Sequence, residues 1–121
     1  MDILNKYLNY EQKNCFLKEL EEFSKENFVI VEGKKDKKVL ESFNIKCFSL
    51  KGNIDFFIEK IIEENKEFKK VAILTDYDYR GEKLRKQIKV NFSQLGIEEE
   101  KKFRTKIKNI FKINHIENLK V

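Results

Sequence analysis

Residues 71–74 read Val-Ala-Ile-Leu, four apolar side chains in succession, and Thr75 then leads straight into Asp76 and Asp78. A half-exposed strand alternates apolar with polar, whereas a run apolar at every position suits a strand buried on both faces. Residues 28–31, Phe-Val-Ile-Val, form a second such run and end on Glu32 and Gly33. Strands covered on both faces need helices above and below them, which predicts an α/β fold around a parallel sheet.

The segments around these runs supply the helices. Residues 2–26 carry Ile3, Tyr7, Leu8, Phe16, Leu20 and Phe23 at steps of three and four, with a break indicated near Asn9. A short helix is predicted over 35–43, with Val39, Leu40 and Phe43 turned inward, and a second strand over 46–50. Asn53 caps a helix striped by Ile54, Phe57, Ile58, Ile61 and Ile62. The third strand covers 71–75. Gly81 to Leu95 follows as a helix with Leu84, Ile88, Phe92 and Leu95 inward, and Gly96 ends it. Past residue 97 two readings stand. Phe103, Ile107, Ile110 and Phe111 have helical spacing, while 110–113, Ile-Phe-Lys-Ile, would add a fourth strand. Strand–helix alternation of this kind builds right-handed βαβ units.

A chain of 121 residues fits one compact domain, and 11 Phe among 40% apolar residues supply a core. Residues 1–26 are expected as a helical arm and 27–121 as the domain, with its core in 27–96. Cys15 and Cys47 are far apart and match neither a zinc nor a disulfide pattern, so both are expected as buried free thiols in the cytoplasm. No apolar run is long enough for a membrane span or a signal peptide core. The net charge of +5 suits a polyanionic partner, although a Lys/Glu-rich surface also serves solubility.

The acids carry the chemical argument. In a parallel sheet, ligands gather at the carboxyl ends of strands near a switch in strand order. Glu32 ends the first strand, and Asp76 and Asp78 end the third. If those strands are neighbours, about 4.8 Å apart, all three acids face one crevice. The i, i+2 spacing lets Asp76 and Asp78 converge on one point. Carboxylates so close repel unless a positive charge stands between them, and a divalent cation with oxygen ligands is the natural one. Asp36, one turn after Glu32, is a further contact or a supporting acid. Lys34, Lys35, Lys51 and Arg80 then read as a phosphate cradle, and Gly33, Gly52 and Gly81 let backbone come close to a ligand. Each residue has a plainer reading: Glu32 as a solvated loop acid, Asp78 or Asp36 as a helix cap, the basic residues as surface charge. Tyr77 and Tyr79 read as packing or rim residues, and His115, the only histidine, as a residue without a chemical role.

Val31-Glu-Gly-Lys-Lys-Asp36 after an apolar strand, followed by Leu74-Thr-Asp-Tyr-Asp-Tyr-Arg-Gly-Glu-Lys-Leu-Arg-Lys86, resembles the Toprim domain of topoisomerases, bacterial-type primases, nucleases and ribosomal-RNA maturases. The likeness is strongest to small stand-alone archaeal members and to the catalytic half of the bacterial 5S rRNA maturase. It implies a Rossmann-like three-layer fold with a small parallel sheet of three to four strands. It implies Glu32 as general acid/base, Asp76 and Asp78 as ligands of Mg2+ (or Mn2+), Asp36 as the following acidic position, and Gly33 and Gly81 as turn glycines.

On this resemblance the chain is expected to carry out Mg2+-dependent phosphodiester chemistry on RNA or DNA, as a nuclease or RNA-processing factor, with a protein partner or a second copy assisting. The alternative is a Toprim-fold module that binds nucleic acid or ribonucleoprotein without turnover. A Walker phosphate loop is excluded, because Glu32–Lys38 lacks the second Gly-Lys. A dehalogenase-type phosphatase would place its Asp pair after the first strand. A phosphoacceptor receiver would need a late-strand lysine partner.

Overall fold

The computed structural model describes residues 3–121; the first two residues of the expected arm lie outside the described residues. Along the chain run α1 (Ile3–Glu26), β1 (Phe28–Val31), α2 (Lys34–Glu41), β2 (Phe48–Ser49), α3 (Ile54–Glu64), β3 (Lys70–Ile73), α4 (Tyr79–Gln94), β4 (Glu98–Glu99) and α5 (Lys102–Phe111). A single 3-10 turn, Ile116–Asn118, closes the order. The four strands form one parallel sheet in the order β2-β1-β3-β4.

The two apolar runs are neighbours at its centre, with Phe28 opposite Val71 and Ile30 opposite Ile73. Alternate side chains then feed two cores. Val29, Val31, Ala72 and Leu74 pack with α1, α2 and α5, while Phe28, Ile30, Val71 and Ile73 pack with α3 and α4. On the first face Phe103 of α5 meets Phe16 and Phe23 of α1. On the second, Phe28 is surrounded by Phe48, Phe68 and Phe92 with ring centroids 5.0–5.9 Å apart. The result is the three-layer α/β fold that the Toprim resemblance implies.

Several elements differ in extent from the sequence reading. β2 is two residues rather than five, because only Phe48 and Ser49 pair with β1. Residues 110–113 form no strand: Ile110 and Phe111 finish α5, and Lys112 turns left-handed at φ 55°. The fourth strand is instead a pair of glutamates beside Lys70 and Val71. Glu99 is tolerated there because its carboxylate lies 3.2 Å from Nε of Arg85, with both side chains almost wholly covered.

α1 runs without a break at Asn9. Only its second half packs on the domain, through Phe16, Leu17, Leu20 and Ser24; Ile3, Leu4, Tyr7 and Leu8 stay exposed. The reading of Cys15 is corrected as well. Cys47 is a buried thiol whose pKa burial pushes up to about 12, but Cys15 is exposed, since it lies off the stripe of Phe16, Leu17, Leu20 and Ser24 by which α1 meets the domain. No described helix is long and apolar enough to cross a membrane.

Candidate metal centre at the carboxyl edge of the sheet

The strand order reverses direction between β1 and β3: β1 connects outward to β2, and β3 connects the other way to β4. A crevice forms at such a switch point, beyond the carboxyl ends of the strands. Glu32 and Asp76 both lie there. Oε1 of Glu32 accepts the backbone N–H of Asp76 at 2.9 Å, so the two chain segments meet although 44 residues separate them.

Asp78 caps α4, with Oδ1 accepting the Gly81 N–H at 2.7 Å. The same residue belongs to the group of possible ligands with Asp76. The cap and the acidic-pair readings of Asp78 thus describe one side chain. Gly81 has no alternative residue: a Cβ there would lie 2.0 Å from the carbonyl oxygen of Asp76. The close approach is of protein to protein. Gly33 differs, since its φ of −134° is open to any residue and the nearest atom to a Cβ is 3.9 Å away.

Asp36 is buried at the first turn of α2 and accepts the Gly33 N–H at 3.1 Å. Burial raises its pKa most, and the Asp76, Glu32 and Glu117 carboxylates around it add to the shift. Lys34, Lys35, Lys51 and Arg80 are all exposed. Lys34 and Lys51 line one shallow groove with Lys37 and Lys38, while Lys35 and Arg80 stand at the first turns of α2 and α4.

Two residues of the site carry no strong local signal in the sequence. Arg104 of α5 is buried beneath the Asp76–Asp78 loop. Its Nη1 donates to the carbonyls of Ile73 (3.3 Å) and Thr75 (2.5 Å), and its Nη2 to the carbonyl of Asp76 (2.9 Å) and to Glu82 (2.6 Å). Tyr77 lies against the guanidinium and donates its hydroxyl to the Arg104 carbonyl; its own pKa is pushed by burial to about 12, which makes it a packing residue. The one available signal is that Arg104 shares a helical face with Ile107 and Phe111, where a charge must be paired.

The second is His115. Its Nδ1 is 3.2 Å from Oδ2 of Asp76, while the Ile116 N–H reaches Oδ1 at 3.0 Å. The hydrogen bond to Asp76 raises the His115 pKa. Among the described residues, Asp76, Asp78 and His115 form a set whose ligand atoms all lie within 4.8 Å of one another. Two carboxylates and an imidazole are donors that a divalent cation accepts, so the residues fit a metal ion. Glu32 and Asp36 stand outside this tight set and border it on the side of β1 and α2.

No curated protein matches the chain. Among solved structures, a protein from Aquifex aeolicus is similar, with 34% identity and a TM-score of 0.77 over 86% of this chain and 94% of that one. The Toprim domain model matches residues 27–110, which span every strand of the sheet together with α2 to α4 and nearly all of α5. Toprim domains bind divalent metal ions, with which the acidic cluster is compatible, and the match supports a metal-dependent, nucleic-acid-related activity. This chain belongs to the Toprim family.

Proposed function

We propose that the protein hydrolyses phosphodiester bonds in nucleic acid with a divalent ion, as a nuclease or RNA-processing factor. The observation that carries this reading is the meeting of Glu32 with the Asp76–Asp78 segment at the switch point, through the 2.9 Å contact to the Asp76 amide. Asp76 and Asp78, with His115 beside them, would hold the ion, and Asp36 would support the rim from α2. The ion, when bound, supplies charge to the scissile phosphate and acidifies water. Glu32 takes the proton of the attacking water as that oxygen bonds to phosphorus; the bond to the leaving sugar oxygen breaks, and solvent returns a proton to it. Lys34 and Lys51 in their groove, with Lys35 and Arg80 at the helix starts, would hold backbone phosphates, which gives salt-dependent binding of low sequence selectivity.

One observation favours the second reading, a binding module without turnover: both oxygens of Asp76 are engaged by the 115–116 segment. A single experiment separates the two. Labelled RNA and DNA are incubated with Mg2+, Mn2+ or EDTA, using wild type, Glu32→Gln and the Asp76→Asn/Asp78→Asn double variant. Metal-dependent cleavage is expected, and Glu32→Gln should lower it by about 10² to 10⁴. The Gln carbonyl still accepts the Asp76 amide, so the fold is kept. Cleavage that survives all the substitutions ends the assignment, whereas salt-sensitive binding without turnover selects the module.

A further inference from the structure

The family match stops at residue 110, yet the segment after it reaches back to Asp76. Its position is fixed by packing. Lys112 turns the chain at the end of α5, and Ile116 and Leu119 are buried in the core shared with α2. The Asn118 N–H returns to the His115 carbonyl at 3.0 Å. His115 therefore stands at the rim of the acidic crevice on an anchored turn.

We infer that His115 is a nitrogen ligand of the divalent ion, and that it moves the site's preference from Mg2+ toward a first-row transition ion of the Mn2+ or Fe2+ kind. The inference rests on the metal reading above. Neighbouring ligands on one ion, each about 2.1 Å from it, are about 3 Å apart when they stand at right angles. Nδ1 of His115 and Oδ2 of Asp76 are 3.2 Å apart, and the Asp78 oxygen completes a set within 4.8 Å. Ligation uses the Nδ1 lone pair, so the ion takes the position of the proton between that nitrogen and Asp76. The Ile116 N–H on Oδ1 leaves Oδ2 as the oxygen aimed at the same point, an outer contact that orients a ligand. Mg2+ is hard and keeps oxygen ligands; imidazole suits Fe2+, and Mn2+, a first-row transition ion, accepts a nitrogen ligand more readily than Mg2+ does.

The test is Mn2+ and Mg2+ binding to the full chain, by calorimetry and by competition, together with pulsed electron paramagnetic resonance of the Mn2+-loaded wild type. Nitrogen coupling from one imidazole is expected in the Mn2+ spectrum. His115→Ala should abolish it and weaken Mn2+ binding by about tenfold or more, while Mg2+ binding changes less than about threefold. Mn2+ bound without nitrogen coupling, at a Mn2+/Mg2+ ratio that His115→Ala leaves unchanged, overturns the inference and spares the aspartate site. A wild type that binds neither ion, or binds both as well after Asp76→Asn/Asp78→Asn, overturns the metal reading itself. The spectrum of the wild type decides the matter even if His115→Ala loosens the turn.

Discussion

The carboxyl ends of β1 and β3 lie side by side and bear the acids of one crevice, but they are built differently. At the end of β3 the backbone is tied down at many points. Arg104 collects three carbonyls, Thr75 Oγ1 donates to the Gly81 carbonyl at 2.8 Å, and the Tyr77 N–H reaches Asn114 at 2.9 Å. At the end of β1 the chain turns through Gly33 with space around it, and the Gly33 N–H has one partner, Asp36. Under the proposed function, the contrast separates two tasks. A pair of ligands that must converge on one ion needs its backbone fixed within a fraction of an ångström. A carboxylate that transfers a proton needs reach, and Glu32 has a longer side chain on a less crowded turn.

The glycines give the sharpest way to break this contrast. Gly81→Ala drives a Cβ to 2.0 Å from the Asp76 carbonyl oxygen, and both atoms belong to tightly held backbone. Either α4 moves or the Asp76–Asp78 loop does, so a loss above about 4 kcal/mol is expected, in the range reserved for severe core disruption. Gly33→Ala meets only ordinary contact. Alanine caps a helix less well than glycine, but it also restricts the unfolded chain, and the two effects oppose each other to leave a change within about 1 kcal/mol. Urea unfolding of both variants measures the pair. Equal losses would show that the two strand ends are held alike.

Arg104→Met tests the same idea from beneath. Methionine fills much of the volume but leaves the Ile73, Thr75 and Asp76 carbonyls without their donor, and each unsatisfied buried group costs about 1–3 kcal/mol. Part is regained because Glu82 is 45% exposed and returns to water. A net loss of about 3 kcal/mol is expected, below that of Gly81→Ala. A loss under about 1 kcal/mol would mean that water replaces the guanidinium and that Arg104 does not shape the loop.

The same contrast explains what could be read from the chain. Glu32, Asp76 and Asp78 are legible as acids of the rim because the two apolar runs end at or just before them, so the strand ends that bring them together can be read from the sequence. Gly81 is legible as a turn glycine, yet its reason, a carbonyl five residues earlier, is a tertiary distance. Arg104 and His115 belong to the last segment, where no apolar run precedes them and their partners lie up to 39 residues away. β4 is hidden for a similar reason: two glutamates form a strand by pairing with Lys70 and Val71, and the charge beside Glu99 comes from Arg85 of α4. In α1 the helical period is plain throughout, but period does not tell which turns meet a partner. The exposed Ile3, Leu4, Tyr7 and Leu8 follow the same spacing as the buried Phe16 and Leu20.

The smallest expected effect concerns the outer edge of the Arg104 net. The hydrogen bond from Arg104 holds the Glu82 carboxyl below its ordinary pKa of 4.5. A group whose pKa is depressed on folding adds stability above its unfolded value, and that stability is lost as pH falls through the folded value. Wild type should therefore exceed Glu82→Gln at pH 7, and the gap should close as pH drops below the ordinary carboxylate range. Because Glu82 is nearly half exposed, solvent screens the pair and the gap at pH 7 should stay under about 1 kcal/mol. Urea midpoints of the two proteins at pH 7 and pH 3 measure it. A gap that does not change with pH would assign the Glu82 contribution to packing. Arg104 would then hold the loop through backbone carbonyls alone, and the rigid end of the crevice would owe nothing to a surface charge.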